Sequence, residues 1–225
     1  MNIMGGRMNF KVPFVKEPQG FGWCVAASAA MVLKYYGERI SQERIAKEIP
    51  VHKTSGADID KFLIYFLRKN YIVTVKFWLP GLRPGMRGLR GGKVNPTVLK
   101  ELNFGLCNED DRTQAICWNL KRFVDAGGIV CFEPPFFKDI RRELAARRPI
   151  IFAINANWLR KIGSVRDSHL VVVKGLKYFL QVSGKLPQII FHDPGKNPNM
   201  SVNADEFLYA CQAGYGFAVF IKPRS

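Results

Sequence analysis

The chain has 225 residues, 48% of them hydrophobic and 12% aromatic, which is enough for a full core and excludes a wholly disordered chain. Its formal charge is +16, and its longest apolar runs, at 150–154 and 170–173, are strand-sized, far short of the roughly 18 residues a membrane span needs. The first residues, Met1-Asn2-Ile3-Met4-Gly5-Gly6-Arg7, have no apolar signal core, and the five cysteines are odd in number and irregularly spaced. That combination predicts reduced thiols, a cytoplasmic protein, and no metal or other cofactor.

The elements follow in order. Residues 12–15 (Val-Pro-Phe-Val) read as an edge strand running into a loop punctuated by Pro18, Gly20 and Gly22. From Cys24 to Tyr36 there is neither Gly nor Pro, and Ala26, Ala27, Ala29 and Ala30 are strong helix formers; Gly37 then fits the stop. Cys24 therefore falls in the first turn of a buried helix. Ser41 is an N-cap for a second helix ending before Pro50, and 57–70 reads as a third, with Ile59, Phe62, Leu63, Phe66 and Leu67 on one face.

A strand is expected at 71–78, then a Gly- and Pro-rich basic loop or insertion around 79–110. A helix at 109–126 ends at Gly127-Gly128. Beyond it, strands at 129–132, 149–154, 169–174, 188–191 and 217–222 alternate with helices at 137–147 and 203–211. Helices first and strands later imply an α+β protein with N-terminal helices packed on a largely antiparallel sheet, in a single domain spanning 1–225.

Three segments carry chemistry. In Gln19-Gly20-Phe21-Gly22-Trp23-Cys24 a cysteine meets the positive end of a helix dipole, which favours thiolate. Gln19, on the loop leading in, can present its amide beside the Cys24 backbone N–H as an oxyanion hole. In Ser168-His169-Leu170-Val171 a histidine opens an apolar strand, and in Phe191-His192-Asp193-Pro194-Gly195 a strand ends in a turn that holds a carboxylate at the sheet's rim. Asp193 on a neighbouring strand can fix the tautomer of His169. Taken singly, each is an ordinary buried cysteine, strand histidine or turn aspartate; the order Cys, His, Asp is that of nucleophile, base and orienter. His192 adjoins Asp193 but points to the other face of its strand, and His52 reads as solvent-exposed.

The opening Gln19 to Gly37, with Cys24 followed by Val-Ala-Ala-Ser-Ala-Ala-Met-Val-Leu-Lys-Tyr-Tyr-Gly, resembles the bacteriocin-processing (double-glycine leader) peptidases and their stand-alone papain-like relatives. Arg148-Pro149-Ile150-Ile151-Phe152-Ala153, Ser168 to Gly175 and Asp193-Pro194 resemble the rest of that pattern. Two features depart from it: Cys24-Val25-Ala26 stands where the family often has Cys-Gly-Pro, and Gln19 precedes Cys24 by five residues, one fewer than is usual.

The resemblance implies a papain-like cysteine peptidase with Cys24, His169 and Asp193 as triad and Gln19 as oxyanion donor. It also implies a peptide or protein substrate cut after Gly-Gly. The same machinery could serve an acyl-transferring or deconjugating enzyme. A reading from another class is a non-catalytic polyanion-binding pseudo-peptidase. Residues 61–100 contain no acid and nine Lys or Arg, interleaved with Tyr65, Phe66, Tyr71, Phe77 and Trp78, and could contact a polyanion or anionic surface.

Overall fold

The computed structural model describes residues 7–18, 22–52, 56–77, 111–157, 168–179, 186–213 and 216–224. The basic loop expected around 79–110 lies outside them, as do Gln19 and the side chain of His52.

The expected α+β class is borne out. One sheet of eight strands runs in the order β5 (Ile129–Cys131), β4 (Tyr71–Phe77), β10 (Phe217–Pro223), β6 (Ile150–Asn155), β7 (Ser168–Lys177), β8 (Gln188–His192), β9 (Met200–Asn203). The eighth strand, β1 (Arg7–Asn9), pairs with β7, and every pairing is antiparallel except β4 with β5. A separate two-stranded ribbon joins β2 (Val51–His52) to β3 (Gly56–Ala57). The helices are α1 (Cys24–Tyr35), α2 (Gln42–Glu48), α3 (Ile59–Arg68), α4 (Asp111–Asp125), α5 (Phe137–Ala145) and α6 (Ala204–Gln212).

Helix α1 is the centre of the packing. Its residues from Cys24 to Leu33 are all buried, wedged between β7 and α2, so alanines serve where larger side chains would not fit. The Ser28 hydroxyl, one turn below Cys24, donates to the Leu170 carbonyl of β7 at 3.4 Å and ties the helix to the strand that carries His169. The helix ends as its sequence dictates: Gly37 takes φ +91°, Glu38 N–H donates to Leu33 O at 2.9 Å, and Gly37 N–H to Lys34 O at 3.1 Å. Ser41 caps α2, its hydroxyl accepting from Arg44 N–H at 3.3 Å.

The first segment differs from expectation. The strand is β1 at 7–9, and Val12 to Val15 forms none. Its apolar residues serve packing instead: Val12 is buried in the core, and Phe14 lies edge-on to His192 with ring centres 5.4 Å apart. Strand β1 approaches β7 so closely that a Cβ on Gly175 would stand 2.6 Å from the Met8 carbonyl oxygen, so glycine is required there. Strand β9 and the β2–β3 ribbon are too short and polar to show a period, which is why the sequence did not announce them.

Of the basic stretch, the described cations are largely used internally. Lys61 pairs with Asp58 at 2.6 Å and Lys69 with Glu38 at 3.4 Å; buried Lys76 is held by Asp139 at 2.8 Å and by Glu133. Tyr65, Phe66, Tyr71 and Phe77 are buried, so they form core and not a stacking surface.

Candidate active site

Cys24, His169 and Asp193, read from three distant segments, come together. Cys24 is the first residue of α1, and its flanking N-cap, Trp23, makes no side-chain bond to the helix's first N–H groups. His169 is the second residue of β7, paired with Ile154 of β6, at the end of the strand nearest that helix terminus. Asp193 follows β8 directly and is held by a turn in which Lys196 N–H donates to its carbonyl at 3.1 Å. All three are buried, at 8%, 7% and 4% exposure, so their mutual contacts are weakly screened.

The carboxylate and ring meet squarely. Asp193 Oδ1 lies 2.7 Å from His169 Nε2 and accepts a second hydrogen bond from Gly195 N–H at 2.9 Å. With Nε2 engaged, Nδ1 is the nitrogen left to serve Cys24. Burial depresses the basicity of His169, but the hydrogen bond to Asp193 and then that to Cys24 outweigh it and push its pKa up from 6.5 to about 10. The charged form of the ring is thereby favoured beside the sulfur. Such an arrangement supports a nucleophile, stores a proton for a leaving group and orients both.

Glu17 was missed by sequence reasoning. Its side chain comes to the same point: a Glu17 carboxylate oxygen, the Cys24 sulfur and a ring nitrogen of His169 all lie within 4.8 Å of one another. The segment is fastened there by Glu17 N–H donating to Pro194 O at 3.0 Å. A Cβ on Gly195 would stand 2.6 Å from Glu17 Oε1 and 3.3 Å from His169 Cε1, so the glycine of the Asp-Pro-Gly turn makes room for both groups. The available signal was Glu17's position in the loop that leads to Cys24, two residues before Gln19.

His192 does not join the site. Its Nδ1 accepts from Asn199 N–H at 3.1 Å, which requires its Nε2–H to donate to the Val12 carbonyl at 2.9 Å. Both ring nitrogens are thereby committed to backbone, and burial holds its pKa below the usual 6.5. No disulfide joins the four described cysteines, and Cys117 and Cys211 are fully buried.

A cleft of about 500 Å³ opens beside Cys24, lined chiefly by apolar side chains, among them Val25, Phe62, Phe77, Leu170 and Phe217. Asp58, Asn119 and Ser168 add polar groups at its wall. Among the described residues no helix is long and apolar enough to cross a membrane.

Residues 9–71, which include Cys24, match the sequence model of the Peptidase_C39 like family, so the resemblance read from the sequence is borne out over that stretch. Three solved structures are similar at low identity. A double glycine motif protease from an AMS/PCAT transporter, crystallised in complex with the leader peptide, is 18% identical (TM-score 0.49), the match covering 99% of this chain and 97% of that one. The peptidase domain of Streptococcus ComA, a bi-functional ABC transporter involved in a quorum sensing pathway, is 14% identical (TM-score 0.47; 95% and 100% covered). A C39-like peptidase described from Bacillus anthracis is 15% identical (TM-score 0.49; 98% and 99% covered). No curated protein matches the sequence.

Proposed function

We propose that this chain is a cysteine peptidase in which Cys24 is the nucleophile, His169 its proton acceptor and donor, and Asp193 the group that orients His169. The observation that supports it best is the continuous chain of contacts from Gly195 N–H through Asp193 and His169 to the sulfur at the start of α1. Cys24 attacks the substrate carbonyl, and the amine leaves with the proton held on His169. Water, deprotonated by the same ring, then hydrolyses the thioester. Gln19 is assigned as an oxyanion donor from its place before Cys24 in sequence, together with the Cys24 backbone N–H. The apolar cleft suits side chains of a peptide substrate, with cleavage after Gly-Gly as in the peptidases this sequence resembles. A single domain is supported by the sheet, which draws strands from Arg7 to Pro223.

One observation favours a second, non-catalytic reading: a Glu17 carboxylate oxygen lies within 4.8 Å of the Cys24 sulfur, and an ionised carboxylate only accepts hydrogen bonds, so it offers no donor to an oxyanion. The same experiment decides between them. Wild-type protein and Cys24→Ala are incubated with peptides carrying an internal Gly-Gly or Ala-Ala, and products are read by mass. Cleavage after Gly-Gly by wild type alone supports the peptidase; no cleavage of any peptide, with Cys24 no more reactive toward iodoacetamide at pH 6 than Cys131, favours the scaffold.

A further inference from the structure

Three side chains of different chemistry converge at one point: the Cys24 sulfur, a ring nitrogen of His169 and a carboxylate oxygen of Glu17, mutually within 4.8 Å. Around a four-coordinate zinc ion, bonds of about 2.0–2.3 Å place neighbouring ligand atoms roughly 3.3–3.8 Å apart, so side-chain movements of about an ångström would close these three onto one ion. The set is the mixed sulfur, nitrogen and oxygen kind that zinc accepts, and three protein ligands leave the fourth position open.

The surroundings are also those of a metal site. His169 Nε2 is held by Asp193 Oδ1 at 2.7 Å, and Gly195 N–H fixes that oxygen at 2.9 Å. A histidine whose far nitrogen is bound to a carboxylate presents its near nitrogen in a defined direction, as metal-binding histidines do. Glu17 is anchored through its own backbone to Pro194, and Gly195 leaves the space its carboxylate occupies.

We propose that Glu17, Cys24 and His169 form a zinc site that blocks the nucleophile reversibly, an inference that rests on the reading of Cys24 and His169 as the active pair. Binding replaces the proton shared by sulfur and ring with the metal ion and releases it to solvent; no electron moves and no covalent bond of the substrate changes. The enzyme is then silent wherever free zinc is sufficient and is released when zinc is withdrawn.

The test uses the full chain, stripped with a chelator and titrated with Co²⁺ as a spectroscopic probe, and with Zn²⁺ in competition with a chromophoric chelator. One Co²⁺ per chain with a thiolate-to-cobalt charge-transfer band is expected, displaced by Zn²⁺. The band is lost in Cys24→Ser, or in wild type alkylated at Cys24 if that variant does not fold. Zinc affinity falls at least tenfold in Glu17→Gln. A band that persists without Cys24, the absence of a band at one equivalent, or unchanged zinc affinity in Glu17→Gln would overturn the proposal. Peptide hydrolysis is measured in parallel: cobalt bound at Cys24 in a protein that cuts no peptide leaves the metal site standing and removes the peptidase. Hydrolysis insensitive to zinc does the reverse.

Discussion

Two histidines stand at the ends of neighbouring strands, His169 at the start of β7 and His192 at the end of β8. Both are buried, at 7% and 2% exposure, and each is close to Asp193, one in space and the other in sequence. Their chemistry is opposite. His169 bonds a carboxylate on one side and faces a sulfur on the other, so its charged form is favoured. His192 bonds a carbonyl and an amide N–H of the backbone, so it is pinned neutral in one tautomer. Burial is common to both; the charge of the partners decides which ring can carry a proton for chemistry and which holds the chain in place.

The largest expected effect tests that division directly. Cys24→Ala and His169→Ala each lower peptide turnover by on the order of 10⁴-fold or more while leaving a folded protein, because members of such a unit fail together. His192→Ala leaves turnover within about tenfold but costs about 1–3 kcal/mol of unfolding free energy, since the buried Val12 carbonyl and Asn199 N–H lose their partner. Steady-state kinetics and urea unfolding on the same preparations measure both. Inactivation by His192→Ala with full activity in His169→Ala would reverse the assignment.

A smaller effect sharpens the role of Asp193 and its turn. Asp193→Asn reduces turnover by about 10²-fold, less than loss of Cys24 or His169, because the amide still accepts a hydrogen bond but no longer favours the imidazolium. In chelator-containing buffer the alkaline limb of its pH–rate profile moves down from the region near 10 toward 6.5. A merely structural role for Asp193 would lower activity without moving that limb. Gly195→Ala places a methyl group against Glu17 Oε1 and His169 Cε1 and lowers turnover by about tenfold through displacement of the ring, with little change in the unfolding midpoint.

The smallest effects are in stability against pH, and they run in opposite directions. The pKa of His169 is raised on folding, so its contribution is complete below about 6.5 and is lost as pH climbs toward about 10. That of His192 is lowered, so it costs nothing above 6.5; below that value the unfolded chain takes up a proton the folded ring refuses, and stability falls with pH. Urea midpoints from pH 5 to 10 should therefore lose their acid-side decline in His192→Gln and their alkaline-side decline in His169→Gln. Coincident curves for wild type and both variants would contradict the pairing described for each ring.

Much of this was written locally along the chain. Alanines between Cys24 and Tyr36, the stop at Gly37, the cap at Ser41 and the apolar runs of β6, β7 and β8 are short-range signals, and the corresponding elements lie within a few residues of where the sequence put them. The order of Cys24, His169 and Asp193 was legible for the same reason: each sits at an element boundary that helix and strand chemistry fixes. What only the tertiary structure decided is where irregular chain goes. Val12 to Val15 has the composition of a strand but spends its apolar side chains on the core and on His192, because the β7 residues it would meet beyond β1 are already paired with β6. Glu17 reads as an ordinary loop acid. It reaches the sulfur only because its backbone is hydrogen-bonded to Pro194, far along the chain, and because Gly195 leaves it room. Local propensity is a sum over neighbours in sequence, whereas the surroundings of a loop carboxylate are set by segments brought together when the sheet closes, and no periodicity records them.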